Sequence, residues 1–208
     1  MKRAVAALLA GALAVHSVLA DAQEIGRCGQ RVAQIRTALD DDARRTRVWY
    51  WSWMGIGSAL LVGQGVLAAV TTGNTQVELA VGSGASVFIP GLLLAHPPPV
   101  MSDSELLDAR LEATTVSGRL GDPCVVLPRA RELLERDAKD EAFATGWFAH
   151  TFVIGGNIVL GLFLGLGFHD WLGAAKQAVG GSLVGEAQIL TLPGRALQVR
   201  GLGVGGEF

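Results

Sequence analysis

The sequence predicts an all-α integral membrane protein, a four-helix membrane arrangement assembled from two tandem helix-plus-hairpin repeats. Three observations predict it. Residues 48–77 contain no Asp, Glu, Lys or Arg, and a bilayer-spanning helix needs roughly 20 apolar residues. Half of the chain is hydrophobic and only 17% is charged, against about a quarter charged in ordinary soluble domains. The second half also repeats the layout of the first at an offset of 98 residues.

In chain order, residues 1–22 read as a secretory signal peptide. Lys2 and Arg3 supply a positive start, an apolar Ala/Leu/Val run follows, and Ala20 and Ala22 provide the small residues read at cleavage. The mature chain would begin at Gln23. An uncleaved first anchor would use the same residues.

Residues 23–99 form the first repeat, a charged helix followed by a transmembrane hairpin. Val32, Ile35 and Leu39 fall on one helical face, while Asp40 and Asp41 precede Arg44 and Arg45 by four residues on the surface. Arg44, Arg45 and Arg47 then meet Trp49, Tyr50, Trp51 and Trp53, the mixture that suits a membrane boundary. The tryptophans would also serve as core between helices. Residues 71–76 read as a turn around Gly73, and a second apolar run over 79–95 carries Pro90, which should kink it.

Residues 100–123 read as a linker with a short helix, opened by Ser102 with Glu105 at capping-box spacing. Residues 124–193 form the second repeat. Its charged helix is expected over roughly 128–144 with Ala130, Leu133, Leu134 and Ala138 on one face, and its hairpin over 147–168 and 174–192. Residues 194–208 are a glycine-rich tail. Its end, Leu202, Val204 and Phe208, suits one short strand, but no regular series of strands accompanies it and a barrel is not the reading.

The repeat rests on particular residues. The offset carries Trp49 onto Trp147, Gly57 onto Gly155, Gly63 onto Gly161, and Ala80-Val81-Gly82 onto Ala178-Val179-Gly180. Two hairpins that each cross twice enter the membrane from the same side, so the repeats should be parallel, related by an axis along the membrane normal. Cys28 and Cys124 then share one side of the membrane. If the signal exports that side, the two cysteines lie in an oxidising compartment and should form a disulfide.

Charge placement argues against that orientation. Of the 15 basic residues after the signal, only Lys176 falls near a turn left in the cytoplasm, whereas the positive-inside rule expects the reverse. The expected location is a multi-pass membrane protein exported by its N-terminal signal, with inner and outer membrane both open.

Five polar residues inside the spans form the candidate site: Glu186, Lys176, Gln64, Asn157 and Glu78. A carboxylate within a span is costly and is a functional-site hypothesis. The expected partners of Glu186 are Lys176, Gln188, Asn157 and Gln64, and His150 reads as an interfacial or packed histidine. Glu78 and Lys176 occupy equivalent repeat positions, where they would pair across the axis or snorkel to the interface.

Metal-ligand spacing, a nucleophile elbow and a phosphate loop opening a helix are all missing from the sequence. We expect no enzyme, no cofactor and no nucleic-acid partner; the basic residues are not pooled. The expected partners are the lipid bilayer and other proteins or a second copy of the chain. The expected function is a structural or assembly role in a bacterial envelope, with binding through the charged helices. The alternative is a small transporter or channel with a polar pathway near Glu186.

Overall fold

A computed structural model of the chain describes residues 2–114 and 122–194, with side chains from Gln23 onward. The side chains of 1–22, on which the signal reading rests, and residues 195–208, which hold nearly all of the tail, lie outside the described residues. Every regular element among the described residues is helical.

One helix runs through both the charged and the apolar part of the expected first repeat. Helix α1 spans Lys2–Val70 without interruption, so the expected charged helix and first span are a single rod. Its buried positions show why. Val32, Ile35, Leu39, Asp42, Thr46, Tyr50 and Trp53 recur every three or four residues along one face. Gly73, at φ 69, makes the reversal after α1, a backbone state glycine adopts without strain.

Helix α2 (Asn74–Ser86) and helix α3 (Phe88–Ala95) return along α1. The break at Val87 lies just before Pro90, which has no N–H to give to the Ser86 carbonyl. The kinked turn packs closely on α1: a methyl group at Gly57 would stand 2.8 Å from Ile89 and 2.9 Å from Pro90.

Helix α4 (Val100–Thr114) begins two residues earlier than the capping-box reading placed it. Ser102 lies inside its first turn and donates its hydroxyl to the Pro99 carbonyl at 3.0 Å, so it is no N-cap. Helix α4 is also more than a linker, because Leu107 is fully buried against α1 and α5. Helix α5 (Pro123–Ala144) starts five residues before the expected position, capped by Asp122, whose side chain accepts from the Cys124 amide. The signal overlooked was Asp-Pro, a cap followed by proline at the first helical position.

Helices α1, α4 and α5 form a layer around Val32, Ile35, Leu39, Leu107, Val126, Leu127, Ala130, Leu133, Leu134 and Ala138. Cys28 and Cys124 are disulfide-bonded at the far end of that core, with their Cα atoms 5.1 Å apart.

Helix α6 (Trp147–Phe168) occupies the expected third span. His169, at φ 55, ends it in the left-handed conformation, and the Asp170 side chain caps helix α7 (Trp171–Lys176) through the Gly173 amide at 2.9 Å. A π-helical turn over Gln177–Gly181 leads into helix α8 (Ser182–Leu190). Returning along α6, this chain brings Trp171 against Gly165, Ala174 and Ala178 against Gly161, and Gly185 against Val153.

By length and apolar composition three helical stretches can cross a membrane, within Gln23–Val70, Asn74–Thr114 and Pro123–Phe168. In the third, the uncharged part is α6. Large apolar side chains such as Val62, Leu94, Phe152, Val159 and Leu166 point outward from these stretches, a surface water would oppose and lipid would accept.

Candidate functional site

Between the α1–α2–α3 hairpin and the α6–α7–α8 hairpin lies a groove of about 670 Å³. It is closed at both ends by contacts between the hairpins. Next to the layer, Trp49 Nε1 donates to the Gln188 carbonyl at 3.2 Å and Trp53 Nε1 donates to Thr191 Oγ1 at 3.1 Å. At the opposite end, near both chain reversals, Lys176 Nζ donates to Glu78 Oε2 at 3.1 Å.

Four of the five sequence-selected polar residues line that groove: Gln64, Glu78, Asn157 and Lys176. They form separate contacts. Glu78 and Lys176 pair with each other. Asn157 donates to the Val153 carbonyl at 2.9 Å, within its own helix, and accepts from Gln177 Nε2 at 3.0 Å. The π turn brings Gln177 to this position, and Gly181 makes room: an added methyl group would collide with Asn157 Oδ1. Gln64 lies against Gly82, and its Oε1 is buried without a hydrogen-bond partner.

Glu186 has a different partner from those expected. Lys176, Gln188, Asn157 and Gln64 form no hydrogen bond or ion pair with it; its Oε2 lies 2.6 Å from Nδ1 of His150. The pair is half-buried, and the second carboxylate oxygen, Oε1, has no hydrogen-bond partner. The sequence did hold this signal. Folding the chain about the reversal at His169 and Asp170 brings His150 to within a helical turn of Glu186.

A second group of acids went unread in the sequence. Asp42 is 1% exposed and Asp137 is 2% exposed. Each follows an apolar residue of its stripe by three positions, Leu39 in one case and Leu134 in the other. Spacing therefore assigned both to the buried face.

Chemically, the groove can hold an apolar body and offer it amide groups and one ion pair. Among the described residues, no group of three or more His, Cys, Asp or Glu side chains is arranged to hold a metal ion. The fold defines the class of a helical membrane protein with a packed layer outside its apolar helices. Comparison with known protein families, with curated proteins and with solved structures returns no match for this chain.

Proposed function

We propose that the protein is a multi-pass component of a bacterial cell envelope with a structural or assembly role. In this reading it crosses the membrane four times as two parallel hairpin repeats. It binds protein partners, or a second copy of itself, through the charged helices of its layer. The observation that carries the reading is the Cys28–Cys124 disulfide, which ties α1 to α5 in a layer continuous with the apolar helices. Such a bond belongs in an oxidising compartment, in keeping with a signal peptide that exports the layer.

The repeat is supported by where its elements end and meet. Helices α1 and α6 end at Val70 and Phe168, 98 residues apart. Glu78 and Lys176, separated by the same 98 residues, are in contact. Equivalent residues touch only near the axis that relates them, which supports an axis passing between the two reversals. Helices α7 and α8, with the π turn between them, would form the fourth crossing.

A transporter or channel is the second reading, and the groove favours it, since Gln64, Asn157 and Gln177 offer polar groups along its length. Glu186, held by His150, would lie beside that pathway.

Reporter fusions at Asn74 and Thr115 test orientation: an exported signal at Thr115 supports the reading, and a cytoplasmic one overturns it. Function is tested in liposomes and in cells. A scaffold passes no ions or small solutes, and in cells it gives discrete crosslinks from probes placed on the exposed face of α5 at Arg129 or Glu132. Solute flux abolished by Asn157→Leu or Glu186→Gln would instead establish the transporter.

A further inference from the structure

The α1–α4–α5 layer changes character at its membrane-facing end. Above lies the apolar cluster containing Leu39, Leu107 and Leu134, and below lies a second cluster of Tyr50, Trp53 and Leu93. Between them three helices each contribute a buried carboxyl group: Asp42 from α1, Asp103 from α4 and Asp137 from α5, all at most 2% exposed.

One guanidinium serves this group. Arg136 donates to Asp103 Oδ1. Asp103 also lies in the first turn of α4, where the helix dipole favours negative charge. Both oxygens of Asp42, both oxygens of Asp137 and Oδ2 of Asp103 receive no hydrogen bond from any N–H or O–H. The charged and titratable groups facing Asp137 are Asp103 from α4, Arg136 from its own helix and Asp42 from α1. Three ionised carboxylates against one cation in a site closed to water would repel one another strongly.

We propose that this cluster is a proton-binding site, in which Asp137 carries a proton at neutral pH and donates it to Asp103, and that release of the proton loosens α5 from α1 and α4. The proton resides on Asp137 because Asp103 already has Arg136 and the start of α4 to stabilise its charge. Burial, followed by the neighbouring Asp103, raises the Asp137 carboxyl from 3.8 to about 8. Losing the proton leaves two adjacent carboxylates with Asp42 behind them, and the three helices separate where they meet the membrane helices.

Infrared spectroscopy of the full-length protein, titrated from about pH 5 to about pH 10, tests the site. The expected result is a protonated-carboxyl stretch at neutral pH that disappears through about pH 8. It should be missing in Asp137→Asn, whose amide copies the shape of the protonated acid, and kept in Asp140→Asn, a change at an exposed position. No such band in the wild type at neutral pH, or a band surviving in Asp137→Asn, overturns the assignment. Hydrogen exchange tests the consequence. After correction for intrinsic base catalysis, amides of 134–141 should exchange faster above about pH 8 in the wild type and remain protected in Asp137→Asn. Equal protection in both overturns the loosening.

Discussion

Lys176 Nζ reaches Glu78 Oε2 at 3.1 Å, and the two residues are 98 positions apart in the chain. Lys176 is the more exposed partner, with Glu78 set deeper at the end of the groove. Together they join the two hairpins at the end remote from the layer. The Trp49 and Trp53 indoles do the same at the other end.

Removing either charge alone should therefore destabilise the hairpin interface slightly more than removing both. Lys176→Met leaves Glu78 without its partner, whereas Lys176→Met with Glu78→Gln leaves no charge at all. Because Lys176 is largely exposed, the coupling should be under about 1 kcal/mol. A double-mutant cycle of thermal unfolding in detergent measures it; strictly additive single effects would deny the pair any role in joining the hairpins.

The disulfide acts over a much longer loop. Cys28 and Cys124 are separated by 96 residues, and closing a loop of that size restricts the unfolded chain by about 4.7 kcal/mol in the chain-entropy picture. Cys28→Ser with Cys124→Ser should lower the stability of the α1–α4–α5 layer by about 2–4 kcal/mol. Denaturant unfolding with and without reductant checks this. Alkylation of the wild type in the absence of reductant should add no mass.

How far the sequence disclosed this arrangement depended on whether a signal was local. The three long apolar helical stretches, the reversal at Gly73 and the inward face of α5 follow from apolar runs, glycine and periodicity, each read within a few residues. Asp42 and Asp137 went unread, although both continue apolar stripes at helical spacing. The partner of Glu186 also went unread. Which polar groups meet inside a hairpin depends on its register, and listing nearby polar residues without folding the chain missed His150. Helix α4 looked like a linker because Leu107 is buried only by helices far away in sequence.

For the His150–Glu186 pair, loss of one partner should cost more than loss of both. His150→Leu leaves a half-buried carboxyl group whose Oε1 already lacks a partner, and an unsatisfied acceptor of this kind costs about 1–3 kcal/mol. Adding Glu186→Leu to that variant should restore part of the loss, while Glu186→Gln alone, which can still meet the histidine ring, should be mild. Thermal melts of the four proteins in one detergent decide the ranking. Restoration by the double variant is the outcome that identifies a specific pair rather than two independent packing residues.

Stability should also fall as the solution becomes more alkaline. Asp137 titrates at 3.8 when unperturbed and at about 8 in the fold. Between those values the unfolded chain has released the proton and the folded chain still holds it. The folded state therefore binds more protons, and linkage makes unfolding more favourable with each step up in pH. The contribution of Asp137 is at its best below about pH 4, declines through the window, and levels off above about pH 8. Other carboxylates titrate near the acid edge, so the informative range is the upper half of that window. Asp137→Asn has nothing to titrate and should flatten the wild-type slope there. Denaturant midpoints measured at several pH values for both proteins test this, and parallel slopes would show that Asp137 does not set the dependence.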